Sequence, residues 1–290
     1  MTKPVVLVTG SNGQVGKELQ QLASQYPQFR FVFASREDLP LHHFGLAENF
    51  FIGIHPQYCI NCAAYTAVDK AESEPELATL VNGEAVGHLA ALCKKYSTKL
   101  IHISTDYVFD GQQERPYIET DPTAPVSVYG RTKLLGEQLC LKEDPEAIII
   151  RTAWVYSEFG NNFVKTMMRL MRDRMELNVV NDQIGAPTYA ADLAKAILEI
   201  ISTEKWIPGI YHYSNSGKIS WYDFAEKIRE LIGSACKINP IPTSQYPTPA
   251  KRQFFSLLNT SKISETYAVE VPDWEQSLKK CIERLKINQV

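Results

Sequence analysis

The chain has 290 residues, 44% of them apolar, and its 30 Lys and Arg against 33 Asp and Glu leave a formal charge of −3. That length supports a sizeable core, and the balanced charge excludes a global electrostatic pull toward nucleic acid or anionic membrane. Six dispersed cysteines, with neither a secretory pattern nor an apolar segment of transmembrane length, lead us to expect a cytoplasmic protein with reduced thiols and no nucleic-acid or membrane partner.

Val5–Thr9 is a continuous apolar run that predicts a strand. Gly10-Ser-Asn-Gly13-Gln-Val-Gly16 follows it and opens Gly16–Ser24, which has helical periodicity. Further strands are predicted at Phe31–Ala34, Tyr58–Cys62, Leu100–Ser104 and Ile148–Arg151, with helical segments such as Asn82–Tyr96 between them. Continuous rather than alternating hydrophobicity means strands covered on both faces, the pattern of an α/β, doubly wound parallel (Rossmann) sheet. Past residue 153 the pattern loosens into a helix at Asn161–Arg174, a short strand at Leu177–Val180 and a helix at Ala191–Ser202. The expected division is a dinucleotide-binding Rossmann domain over 1–153 with a return at 177–211, and a smaller C-terminal α/β substrate-binding lobe from 154–176 and 212–290. Pro240–Pro249 cannot be ordinary helix, because its prolines remove amide donors. With Lys251 and Arg252 beyond it, this segment fits a loop over an anionic ligand better than a linker.

Cys59-Ile-Asn-Cys62 has the spacing of a redox or metal pair, but no second such pair completes a zinc site, and it ends a buried strand. We therefore read these cysteines as buried small hydrophobes. In the glycine loop, Gly10 permits the tight turn, Gly13 lets backbone amides approach phosphate, and Gly16 allows close helix packing. The second strand ends in Ser35-Arg36-Glu37-Asp38-Leu39, where the adenosine ribose would be read. Arg36 could pair with a 2′-phosphate, which favours NADPH and leaves NADH open. Asn61-Cys-Ala63-Ala64-Tyr65-Thr66 closes the third strand with small residues that would let its backbone lie beside the cofactor.

Ketone reduction places negative charge on oxygen, so a proton donor must sit there. Tyr129 suits that role, and Lys133 shares its helical face and can favour the phenolate of a group whose pKa is normally near ~10. Thr105, at the end of the fourth strand, can orient the same oxygen. Trp154, Asn161 and Asn162 follow the fifth strand and could touch a sugar or base, although Trp154 could equally be core. His102 reads as a packed core histidine rather than a catalyst.

These segments together resemble the extended short-chain dehydrogenase/reductases that act on sugar nucleotides. The matching stretches are Thr9–Gly16, Ala64–Glu72, Ser104–Gly111, Val128–Glu137, Arg151–Tyr156, Asn181–Thr188 and Tyr246–Pro249. The resemblance implies Thr105, Tyr129 and Lys133 as the catalytic set, with Gly13, Gln14, Val15, Asp38, Leu39 and Ala64–Thr66 on the dinucleotide. It implies Thr105, Asp106 and Trp154 on the sugar nucleotide. The implied reaction is NADPH-dependent reduction of the 4-keto group of dTDP-6-deoxy-L-lyxo-4-hexulose to dTDP-L-rhamnose, by a monomer or homodimer. Two departures stand out. Gln253 occupies a position where the family usually has Pro, and Ala191 and Asp192 stand out of register with an acidic ligand of a magnesium site through which some members dimerise. No structural magnesium is therefore expected, although Glu18 keeps the position of another such ligand. Two alternatives remain: a non-catalytic NADP-binding subunit similar to the regulatory β subunit of methionine adenosyltransferase, and a nucleotide-sugar epimerase.

Overall fold

The computed structural model describes residues 3–203 and 205–287, so residues 1, 2, 204 and 288–290 of the expected domains lie outside it. Its centre is a six-stranded sheet of β1 (Val5–Thr9), β2 (Arg30–Ala34), β3 (Tyr58–Asn61), β4 (Lys99–Thr105), β5 (Ile148–Thr152) and a late strand, Gly209–His212. Every pairing in it is parallel. The order, with the late strand beside β5 and then β4, β3, β1 and β2, reverses direction at β1. In such sheets the crevice beyond the strand ends at that reversal is the ligand site. β1 and β5 are buried at every position, as strands covered by helices on both faces must be.

Helices α1 (Gln14–Leu22), α2 (Phe44–Ile54), α3 (Ala85–Lys95) and α4 (Val128–Glu143) alternate with these strands. The helical stretch expected over Asn82–Tyr96 begins as a π turn, Leu80–Glu84, before α3. The turn carries Asn82 inward, where its amide bonds both the N–H (2.8 Å) and the C=O (3.0 Å) of Tyr65.

After β5 the chain forms α5 (Phe163–Asp173) and β6 (Glu176–Val180). The return expected from residue 177 starts later. β6 pairs in parallel with β8 (Lys237–Ile241), leaving α6 (Ala190–Ser202) and β7, the Gly209–His212 strand already placed, to rejoin the main sheet. The physical reason is the alternating burial of β6, exposed at Glu176 and Asn178 and buried at Leu177 and Val179, which suits a small sheet with one wet face. A second apolar core joins α5, β6, α7 (Trp221–Ile232) and α8 (Trp274–Ile287), apart from the core under the main sheet. The proline-rich segment is ordered: Pro240 lies in β8, and Thr243 donates its amide to Asp182 at 2.9 Å. All six cysteines are unpaired, and burial raises the Cys62 thiol far above its ordinary value. None of the described helices is long and apolar enough to cross a membrane.

Glu18 of α1 is fully buried, and neither carboxylate oxygen makes a hydrogen bond to the described residues. Burial and the adjacent Glu158 raise its pKa to about 8, with Arg284 at 3.7 Å acting in the opposite sense. A carboxyl whose folded pKa is raised takes up a proton on folding, so its contribution to stability falls as pH climbs from the ordinary carboxylate range through about 8. Glu18→Gln should therefore raise Tm at pH ~9 by a few degrees and by much less at pH ~5. Thermal unfolding at the two pH values tests this; an equal shift at both would show that the charge is not the cause. Asp192, the other acid raised in connection with a metal, is taken up by Asn215 (2.7 Å) and Ser277 (2.5 Å).

Candidate functional site

The site forms where β1, β3 and β4 end. Gly10 has φ +62°, and a Cβ there would come 2.6 Å from the Ala63 amide nitrogen, so the turn admits only glycine. A Cβ on Gly16 would meet Ser11 Cα at 2.6 Å, which lets α1 start hard against the loop. Gly13 occupies the N-cap of α1 without a side-chain cap, and no acid lies in the first turn. The unsatisfied amides and the helix dipole make this end an anion cradle, a fit for a dinucleotide pyrophosphate. Val15 is buried in the core, so its part in that cradle is confined to its backbone. Gln14 instead bridges outward, donating to Val155 O at 3.2 Å and accepting from Asn162 Nδ2 at 2.9 Å.

At the end of β2, Ser35 is bound into a tight turn. Its N–H donates to Asp38 Oδ2 (2.9 Å) and its hydroxyl to Glu37 Oε2 (2.7 Å), and these bonds lower both carboxyl pKa values. Arg36 is exposed and forms no salt bridge among the described residues, while Leu39 is buried. The guanidinium is thus free for an anion. Ala63, Ala64 and Tyr65 are half-buried and Thr66 exposed, and the Tyr65 hydroxyl donates to Glu74 at 2.8 Å.

Thr105 closes β4. Its hydroxyl accepts the Tyr107 amide (3.2 Å) and donates to Asp106 Oδ1 (3.0 Å). Asp106 is buried, its Oδ2 has no hydrogen-bond partner among the described residues, and burial raises its pKa to about 6. Tyr129 stands in the first turn of α4, which Ser127 caps through the Gly130 amide at 3.1 Å. A Cβ at Gly130 would lie 2.2 Å from Tyr107 O, so only glycine lets this turn approach the end of β4. Burial raises the Tyr129 phenol well above its ordinary value, and Thr105 acts to lower it. Lys133, one turn on and 2% exposed, is lowered to about 8 by burial. Its Nζ donates to Ile103 O at 2.8 Å and lies 3.4 Å from His102 Nε2. Lys133 thus stands one turn after Tyr129 on α4 with its amine bound to the β4 backbone, and no hydrogen bond joins it to the phenol among the described residues.

Trp154 is half-buried with φ +49°, an outlier for a bulky residue, and stacks on Trp221 with ring centroids 3.7 Å apart. Such strain is held only where its surroundings dictate it, and it clusters at functional sites. Asn162 does not present its amide to a ligand: it caps α5 through Lys165 N and donates to Ser157 O at 2.6 Å. Arg252 and Gln253 stood out in the sequence, but their partners did not. Arg252 pairs with Asp69 at 2.8 Å, and Gln253 Nε2 donates to Asp106 O (3.0 Å) and Phe109 O (2.6 Å). The missing proline at residue 253 was the available signal for the second.

A family model described as the RmlD substrate binding domain matches residues 4–287. The chain belongs to this family. Relatives of the chain include the dTDP-4-dehydrorhamnose reductases of Escherichia coli K12, 42% identical with 97% of each chain covered, and of Burkholderia thailandensis, 41% identical with 97% and 98% covered. Among solved structures, the dTDP-4-dehydrorhamnose reductase of Bacillus anthracis in complex with NADP superposes on this chain with TM-score 0.94 at 36% identity, covering 98% of this chain and all of that one.

Proposed function

We propose that the protein is an NADPH-dependent reductase that converts the 4-keto group of dTDP-4-dehydro-6-deoxy-L-mannose to the alcohol of dTDP-L-rhamnose. What carries this reading is a chain similar end to end to reductases of that name, supported by an uncapped glycine-rich helix start after β1 and by Thr105 at the end of β4 with Tyr129 and Lys133 one turn apart on α4. NADPH would supply the hydride to the carbonyl carbon. Residues 1–153, with 190–212, hold the dinucleotide: Gly10, Gly13, Gln14 and Val15 at the pyrophosphate, Ser35, Arg36, Asp38 and Leu39 at the adenosine, and Ala63–Thr66 beneath the nicotinamide side. The remaining lobe, with Trp154, and the end of β4, with Thr105 and Asp106, hold the sugar nucleotide.

Tyr129 gives its proton to the ketone oxygen as negative charge develops there. The Thr105 hydroxyl fixes that oxygen relative to the hydride donor and works against the burial that makes the phenol reluctant to ionise. Lys133 supplies positive charge under the phenolate when protonated. The deciding assay supplies the 4-keto-6-deoxy sugar nucleotide together with the epimerase that prepares it, and follows NADPH absorbance and the sugar formed. Stoichiometric NADPH loss with a 6-deoxyhexose product is expected. No turnover would leave a binding subunit, and sugar isomerisation without NADPH loss an epimerase.

The free guanidinium of Arg36 carries the nucleotide preference. Arg36→Ala should raise KM for NADPH by roughly 5- to 150-fold, with little change for NADH, because a lost pairing to phosphate costs about 1–3 kcal/mol when partly screened. Steady-state kinetics with both nucleotides checks this, and an unchanged KM ratio would remove Arg36 from the site.

A further inference from the structure

His102, Asn61 and Thr9 form a buried hydrogen-bonded chain across β4, β3 and β1 that ends on Lys133. Its polarity can be read from one end. Asn61 Oδ1 accepts two donors, the Ala63 N–H (3.1 Å) and the Thr9 hydroxyl (2.7 Å), so its carbonyl side is committed. The amide Nδ2 is left to donate to His102 Nδ1 at 3.0 Å, which makes Nδ1 the bare nitrogen of the ring. A neutral imidazole with a bare Nδ1 carries its proton on Nε2, the atom 3.4 Å from Lys133 Nζ.

We propose that His102 is a positioning residue for Lys133: locked by Asn61 as the Nε2–H tautomer, it presents a donor to Nζ and so favours the free amine over the ammonium. The proposal deepens the reductase reading and rests on it for the role of Lys133. The ring has no exposed surface, and burial keeps it neutral, holding its pKa well below the ordinary value. The amine keeps an acceptor for its own N–H in Ile103 O at 2.8 Å. The other titratable groups acting on Lys133 are Glu137 and Cys140, farther along α4. Glu137 is taken up by Arg151 (2.7 Å) and Ser104 (2.5 Å), and burial pushes the Cys140 thiol up to about 12, so it stays neutral. Arg151 reaches this cluster from β5, and the thiols of Cys59 on β3 and Cys93 on α3 are buried behind it. A lysine that titrates close to pH 8 would make ketone reduction fall away on the alkaline side as the ammonium is lost.

Two measurements test the assignment. In wild-type protein labelled with 15N in its histidine rings, the shifts of His102 should report a protonated Nε2 and a bare Nδ1 from pH ~5 to ~9. A protonated Nδ1 overturns the proposal whether or not the protein proves to be a reductase. In Asn61→Asp, the carboxylate still accepts from Thr9 and Ala63 but must also accept from His102, which moves the ring proton to Nδ1 and turns Nε2 into an acceptor for the ammonium. The alkaline limb of kcat/KM should then move up by about one pH unit or more, a tenfold change in the protonation equilibrium of Lys133. Lower activity with an unmoved limb would mean that the chain is only structural and would overturn the proposal; if the variant does not fold, the tautomer measurement decides.

Discussion

Tyr129→Phe is expected to lower kcat by roughly 10²–10⁴-fold while leaving the affinity for the nucleotide nearly unchanged, because the substitution removes one proton and little volume. The ring should stay in place, since its edge-to-face contact with Tyr107, with centroids 5.4 Å apart, does not involve the hydroxyl. Stopped-flow reduction under single-turnover conditions separates the chemical step from release, and equilibrium binding of NADPH gives the affinity. A variant with normal single-turnover rates would remove Tyr129 as the acid and leave Thr105 with Asp106 as the alternative source, the latter poised near pH 6. The size of the effect follows from how poorly this site accommodates charge. Burial opposes the phenolate, and the ammonium that would relieve it is held on β4, so no neighbouring hydroxyl inherits the task cheaply.

The second large effect concerns stability. Arg151 on β5 binds Glu137 on α4 through two nitrogens, at 2.9 and 2.7 Å, and the side chains are 3% and 2% exposed. Arg151→Met should destabilise the protein by about 3–5 kcal/mol, because it leaves Glu137 charged, buried and short of donors. Adding Glu137→Leu should recover most of the loss, since a buried pair replaced by apolar side chains of similar size is often close to neutral. Urea unfolding of the two single variants and the double variant forms the test. If the double variant is no more stable than Arg151→Met alone, the cost lies in packing, for instance against Phe109, whose ring the guanidinium covers at 5.0 Å. The pair sits directly behind Ser104 and Thr105, so the single variant should also lose activity before it unfolds.

Much of this was legible in the chain. The five β-rich runs up to residue 151 all became strands of the main sheet, off by no more than one residue at an end, and those buried at every position, β1 and β5, are mostly apolar because helices cover both faces. The glycine loop was legible for a similar reason: Gly10 and Gly16 stand where any side chain would collide with backbone. What could not be read was pairing at a distance. The run near Leu177 announces a strand but not that its partner is Lys237–Ile241. Asn82 resembles any polar helix residue until the π turn brings it under Tyr65. His102 was rightly placed in the core, yet its significance needs three neighbouring strands in register, since Asn61 faces it directly across β3 and β4. Asp69 and Arg252 are 183 residues apart, and no local pattern marks them as partners.

The bonds from Gln253 to the carbonyls of Asp106 and Phe109, and from Arg252 to Asp69, have a consequence for how such a molecule can be recombined. The lobe that would choose the sugar is latched onto backbone belonging to the half that would do the chemistry. Gly111, at φ +78°, exists in that form to make room: a Cβ there would strike Gln253 at 2.5 Å. A chimera that imports residues 213–287 from a proline-bearing relative would leave those two carbonyls without their donor. Swapping substrate preference between relatives should therefore succeed only when 106–111 travels with the lobe, which makes the unit of exchange discontinuous along the chain.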